Sequence, residues 1–171
     1  MSSKERREDI KAIFLESKLP IKGQELATKF NVTRQVIVKD IAILRAEGNN
    51  IIATPEGYLI TRYENTRIRR VIAVNHDRED VYKELKTVVK YGGTVEDVIV
   101  EHPLYGEIKA ILMIKNLNDV EKFNDKFDKS EVEPLFKLTN GIHIHTITVD
   151  SIEDMENILK ELKNENILID N

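Results

Sequence analysis

Two patterns in this 171-residue chain predict an α+β protein in two parts. Residues 1–62 read as a winged helix-turn-helix DNA-binding domain. Residues 67–171 read as a ferredoxin-like-type α+β sandwich with a mostly antiparallel sheet. The first pattern is Ala27-Thr28-Lys29-Phe30-Asn31-Val32-Thr33-Arg34-Gln35-Val36-Ile37-Val38, two short helical stretches joined by a tight turn and followed downstream by a hairpin. A protein offers a helix to the DNA major groove in this way. The second begins at Arg67, where segments alternate in the order strand, helix, strand, strand, helix, strand.

Residues 5–17 form the first expected helix, charged and amphipathic, with Ile10, Ile13 and Phe14 inward and Pro20 ending it. Ile21 and Gly23 lead into a second helix, 24–30, which sets Leu26, Ala27 and Phe30 on one face, with small Ala27 where a neighbouring helix must come close. Thr33 is placed to cap the third helix, its hydroxyl accepting a backbone N–H that the helix start leaves unpaired. Ile37, Ile41 and Leu44 then recur at i, i+4 and i+7 on the core face. Gly48 closes that helix. Residues 51–60 read as two strands around a Pro55-Glu56-Gly57 turn, the wing.

The opposite face of the third helix carries Arg34, Gln35, Val38, Lys39, Ala42 and Arg45. Arginine pairs with guanine O6 and N7, glutamine with adenine N6 and N7, and small apolar groups meet a thymine methyl. Lys39 and Arg45 are expected at phosphates. The candidate DNA-binding residues are therefore Thr33, Arg34, Gln35, Val38, Lys39 and Arg45. Acidic Glu56 at the wing tip argues against phosphate attraction there.

Charge divides the same way. Residues 1–62 hold 11 Lys+Arg against 8 Asp+Glu, a net of +3, and residues 63–171 hold 15 against 22, a net of −7, which together give −4. A mildly basic head on an acidic body keeps attraction to DNA local. A hydrophobic content of 41% with 33% charged residues is ordinary for a soluble globular chain. The absence of cysteine excludes disulfides and thiolate metal sites. No apolar run reaches the roughly 18 residues of a membrane span, and the first residues are charged, so a cytoplasmic location without a membrane partner is expected.

In the second half, residues 68–75, 95–101, 107–114 and 142–149 are expected as strands and 79–91, 119–129 and 152–164 as helices, with 167–169 a final strand. All four histidines lie here. His143 and His145 stand two apart in an alternating segment, so both imidazoles project from one face of a strand while Ile142 and Ile144 serve the other. His76 ends the first strand of this half, and Glu84 lies one or two turns into the next helix, with Glu79 and Asp80 competing for its role. Three imidazole nitrogens and one carboxylate oxygen suit a borderline divalent ion such as zinc, nickel, cobalt or ferrous iron. His102 sits in a Pro/Gly turn and can equally cap a hairpin.

The stretch Val32-Thr33-Arg34-Gln35-Val36-Ile37-Val38-Lys39-Asp40-Ile41-Ala42-Ile43-Leu44-Arg45, with Ile52-Ala53-Thr54-Pro55-Glu56-Gly57-Tyr58, resembles the winged-helix head of bacterial niacin-responsive transcriptional repressors. The segments Asn75-His76-Asp77, Glu84-Leu85, Val100-Glu101-His102-Pro103-Leu104-Tyr105-Gly106-Glu107 and Thr139-Asn140-Gly141-Ile142-His143-Ile144-His145-Thr146 are similar to the three-histidine domain of that family. The resemblance runs essentially end to end. It implies a divalent metal, nickel first with zinc or iron as alternatives, on His76, Glu84, His143 and His145. It further implies repression of genes for NAD-precursor uptake and synthesis, with nicotinic acid as co-repressor. A carboxylate or pyridine nitrogen of nicotinate would take an open metal position, and His102 or Tyr105 would hydrogen-bond the other end. Double-stranded operator DNA is the expected partner, and a homodimer spanning two half-sites the expected assembly. Two rivals remain: a regulator for which the ion itself is the signal, and a metalloenzyme fused to a helix-turn-helix. Against the enzyme, no Gly-rich phosphate loop, Ser/His/Asp order or cysteine nucleophile occurs.

Overall fold

The computed structural model describes residues 1–61 and 67–170, and the chain divides into two units, Met1–Tyr63 and Glu64–Asn171. The boundary expected between the two parts falls at residues 62–66, which lie outside the described residues.

In the first unit, Ser2 accepts a hydrogen bond from the Glu5 amide while the Glu5 carboxylate accepts one from the Ser2 amide. This reciprocal cap starts α1 at Ser3, and the helix runs Ser3–Glu16. Helices α2 (Gly23–Lys29) and α3 (Arg34–Ala46) are joined through Asn31, which takes a left-handed φ of 52°. The core is Ile10, Phe14, Leu26, Ala27, Ile37, Ile41, Leu44 and Ile51. Each large side chain fully buried there contributes about 1.5–3 kcal/mol of transfer free energy. Among them lies one charge, Asp40 of α3, clamped by Arg6 of α1 through Nε at 2.6 Å and Nη2 at 3.4 Å.

Strands β1 (Ile51–Thr54) and β2 (Gly57–Ile60) make the antiparallel hairpin. Ile21 adds a third edge, exchanging both backbone hydrogen bonds with Tyr58 at 2.8 Å. Gly57 stands at φ +136°, and a Cβ there would fall 2.4 Å from the Ile21 carbonyl oxygen. Only glycine lets the wing close on the entry to α2.

The second unit is one antiparallel sheet with helices on one face. Its elements are β3 (Ile68–Asn75), a 3₁₀ turn Arg78–Asp80, α4 (Val81–Lys90), β4 (Thr94–His102), β5 (Gly106–Ile114), α5 (Leu117–Lys129), a 3₁₀ turn Leu135–Thr139, β6 (Ile142–Val149) and α6 (Ile152–Asn164). Helix α4 packs on β4, α6 on β6, and both α5 and α6 on α4. Val74, Leu85, Val88, Val95, Val100, Ile147, Val149 and Ile158 are among the side chains buried between the layers.

The α+β class, the element order and the antiparallel sheet are those the sequence predicts. The strand order is β3-β6-β4-β5, so the fourth and second strands of the unit are central, whereas a ferredoxin-like sheet centres the first and third. The chain after α6 closes the outer edge of β3 through an Asn75–Ile167 hydrogen bond, an Ile169–Ala73 hydrogen bond and a Val74–Leu168 bridge. The strand expected at 167–169 is thus a short tie along an edge rather than a full ladder.

Candidate metal centre and nucleic-acid interface

His76 follows the last residue of β3, Glu84 lies in the first turn of α4, and His143 and His145 project from β6 toward the helices, on the face of Ile147 and Val149. Gly141 brings these elements together. It holds φ +95°, and a Cβ would sit 2.6 Å from Asn75 Oδ1 and 2.8 Å from the His76 carbonyl oxygen. The start of β6 therefore runs directly against the end of β3, and His76 meets His143 with ring centroids 4.7 Å apart.

Each imidazole is oriented by the main chain. The Nδ1 atoms of His76, His143 and His145 lie 2.8, 2.8 and 2.5 Å from the carbonyl oxygens of Asp77, Gly141 and Asp97. A carbonyl only accepts, so each Nδ1 carries hydrogen and each Nε2 is left to face inward. All three Nε2 atoms converge on Glu84. His76 and His143 lie 2.7 and 3.8 Å from Oε2, and His145 lies 3.2 Å from Oε1.

All four groups are buried. Neutral imidazoles in this tautomer aim lone pairs at a carboxylate, which repels unless a proton or metal cation lies between. Burial pushes His76 and His145 down, but the nearby Glu84 carboxylate outweighs it and holds both above the ordinary histidine value. Burial pushes Glu84 up, yet the charge of His145 and the close imidazoles of His143, His145 and His76 hold it well below the usual carboxylate range. Among the described residues Glu84 Oε1 and His145 Nε2, 3.2 Å apart, are left without a hydrogen-bond partner of good geometry. Donor atoms of His76, Glu84 and His143 lie within 4.8 Å of one another, a set of two nitrogens and one oxygen that fits a divalent transition metal, while His145 stands outside that group with its Nε2 3.2 Å from the other oxygen of Glu84.

The competing acids stand apart: Glu79 is exposed, and Asp80 pairs with Lys83 at 4.0 Å. Three further residues shape the centre without having been singled out by sequence. Phe136 stacks on His143 at 5.1 Å and tilts against His76 at 5.4 Å. Gly141 supplies the close approach just described. Asp97 lies where β4 carries one residue more than β6 between Val95 and Ile99, a bulge that turns its carbonyl to His145. The Asp97 carboxylate, 1% exposed, accepts from the Thr146 amide at 2.8 Å and pairs with Lys109 Nζ at 2.9 Å. An Asn-Gly pair before a strand is a readable signal for Gly141; nothing local announces a bulge.

His102 and Tyr105 occupy the turn between β4 and β5. His102 Nδ1 accepts from the amides of Leu104 and Tyr105 at 3.1 and 3.2 Å, and the two rings stand 5.0 Å apart. Among the described residues no hydrogen bond joins either to the histidine cluster.

In the first unit, Thr33 caps α3 by accepting from the Val36 amide at 3.4 Å. Arg34, Gln35, Val38, Lys39 and Ala42 are exposed along α3. Arg45 Nε donates to the Ile51 carbonyl at 2.7 Å, and its guanidinium lies 6.0 Å over the Tyr58 ring. This ties the end of α3 to the wing.

A helix-turn-helix head in the same chain as an antiparallel-sheet unit with three inward-facing histidines defines a class of regulatory protein. A family model described as "HTH domain" matches residues 6–59, and one described as "3H domain" matches residues 69–171. Over 166 residues, 97% of this chain and 94% of the relative, it is 44% identical to the probable transcription repressor NiaR of Thermotoga maritima. Over 167 residues, 96% of this chain and 93% of the relative, it is 37% identical to the transcription repressor NadR of Bacillus subtilis. The chain belongs to this family of HTH and 3H domain transcription repressors.

Proposed function

We propose that this protein represses genes for NAD-precursor uptake and synthesis, with nicotinic acid as co-repressor, and that its second unit senses the ligand through a bound divalent metal. The observation that supports this most is the convergence of three main-chain-oriented Nε2 atoms on Glu84. His76, Glu84, His143 and His145 would hold the ion, nickel first, with zinc and iron as competitors. The ion would supply a Lewis-acidic position for a carboxylate or pyridine nitrogen. His102 and Tyr105 are assigned the polar far end of that ligand. Among the described residues no helix is long and apolar enough to cross a membrane, and the site of action is taken as the cytoplasm.

On the DNA side, Thr33, Arg34, Gln35, Val38, Lys39 and Arg45 would meet a double-stranded operator. Arg34 and Gln35 read base edges, Val38 meets a thymine methyl, and Lys39 and Arg45 meet phosphate. One winged helix covers one half-site, so the working species is a homodimer. Ligand controls DNA only by binding one arrangement of the two heads better than another, and the shift equals that difference in affinity.

Gel-shift titration on the chain's own upstream DNA tests this, with and without nicotinate, for wild type and His143→Ala. Nicotinate should tighten binding of wild type alone. Equal tightening in both would remove the metal centre as sensor. A second reading, in which the ion itself is the signal, is favoured by the burial of all four donors. Titrating metal at fixed nicotinate, and nicotinate at fixed metal, separates the two.

A further inference from the structure

Gly23 opens α2, is buried, and does not hold a positive φ. Its backbone needs no glycine there, and alanine is the better helix former. What the position needs is room. A Cβ on Gly23 would lie 3.2 Å from Tyr58 Cε2, inside the roughly 3.5–4.0 Å at which carbons rest, and 3.7 and 3.9 Å from Arg34 Nε and Cγ. Tyr58 is fixed through its backbone, which exchanges hydrogen bonds with Ile21 and pairs with Ala53 of β1. Its ring packs on the core of the first unit and meets an arginine on two sides. The Arg45 guanidinium stands 6.0 Å over the ring, at the outer limit of about 6 Å for attraction between a cation and an aromatic face. Arg34 shares the space above Gly23 with the Cε2 edge. The two arginines lie about three turns apart on α3, so both leave the same flank of the helix.

We infer that Tyr58 is a positioning residue for operator recognition, its ring holding Arg34 and Arg45 at the two ends of one flank of α3, and that Gly23 is the gap that admits the ring. The inference rests on the reading of α3 as the operator-binding helix and names what sets its arginines. An arginine caught in a contact with DNA loses the rotamer freedom of a long side chain, and one ordered beforehand loses less. The ring orders Arg45 without occupying the N–H groups of its guanidinium, which stay available as donors. The wing thereby serves recognition from behind the reading helix, although its tip carries acidic Glu56. Glycine at the first position of α2 gives up helix stability, and the place of the ring is what that loss secures.

Fluorescence anisotropy of the full chain on a labelled duplex of its own upstream DNA, with Ni²⁺ and nicotinate present, tests this beside thermal melts. Gly23→Ala should melt within a few degrees of wild type, the helix preference of alanine offsetting the tight contact, yet bind the duplex about two- to tenfold more weakly. Tyr58→Phe keeps the ring and should bind as wild type. Tyr58→Leu should weaken binding about tenfold and relax the same base position as Arg34→Ala. In a chain already carrying Arg34→Ala and Arg45→Ala, Tyr58→Leu should cost no further affinity. An undiminished cost in that background would overturn the positioning role, as would Gly23→Ala binding like wild type or Tyr58→Phe failing as badly as Tyr58→Leu. Should Arg34→Ala and Arg45→Ala themselves leave binding unchanged, the reading of α3 falls and this inference with it.

Discussion

Glu84→Gln separates a metal centre from a structural ion pair, because the amide keeps the carboxylate's shape and loses its charge. In wild type, an ion present at 100 times its Kd stabilises the folded chain by about 2.7 kcal/mol. Glu84 is the one anionic donor among three imidazoles, with Nε2 atoms 2.7, 3.2 and 3.8 Å away. Altering a group that merely orients a ligand weakens metal binding about 10–100-fold, so losing a donor weakens it at least about 100-fold. At unchanged metal concentration the stabilisation then falls to about RT ln 2, ~0.4 kcal/mol. For a chain of this size about 2.3 kcal/mol corresponds to roughly 5–9 °C in Tm.

Thermal melts with Ni²⁺ and with chelator should show that metal-dependent rise in wild type and nearly none in the variant. With metal chelated, the gap between the two should narrow as pH rises through the raised histidine values, since the side-chain amide that Glu84→Gln introduces can donate its N–H groups to two neutral Nε2 atoms. A variant that keeps the full metal-dependent rise would refute the assignment. A variant that loses about 3–5 kcal/mol under chelation while the metal shifts neither protein would make the cluster a buried ion pair.

The same cluster sets a pH signature. His76 and His145 are raised above 6.5, so in metal-free protein their contribution is complete below about 6.5 and fades as pH climbs through the raised values. Glu84 is depressed below 4.5, so its contribution is present above 4.5 and is lost on acidification. Melts under chelator should find this contribution largest between those limits, while metal affinity by titration calorimetry rises with pH; metal binding that strengthens on acidification would contradict both. Gly141→Ala pushes a methyl against the His76 carbonyl at positive φ, so a loss of about 1–3 kcal/mol in chemical denaturation is expected together with weakened metal binding. Arg34→Ala should cost about 1–3 kcal/mol of operator affinity and relax one base position; an unchanged footprint and affinity would move the reading surface off α3.

The helix-turn-helix was legible because its signals are local: Thr33 caps, Asn31 turns, and Ile37, Ile41 and Leu44 keep one face. The H-x-H pair was legible because strand alternation alone puts His143 and His145 on one side. Choosing Glu84 over Glu79 and Asp80 was not a matter of spacing, since it depends on a 3₁₀ turn preceding α4 and leaving Glu79 in solvent. Sheet order, the bulge at Asp97 and the stacking of Phe136 depend on partners distant in sequence, and no window of a dozen residues contains them. Arg45 illustrates the same point. Its place on α3 is periodic, but its bond to Ile51 exists only because the wing folds back.

Asp97 gives the sheet a property of thickness. Its carbonyl steadies a histidine on the helix side, and its carboxylate grips Lys109 on the bare side, so one residue is anchored at both surfaces. Any tilt of the His145 ring would pull on a peptide whose other attachments point out of the opposite surface. The two faces are coupled across the depth of a single strand.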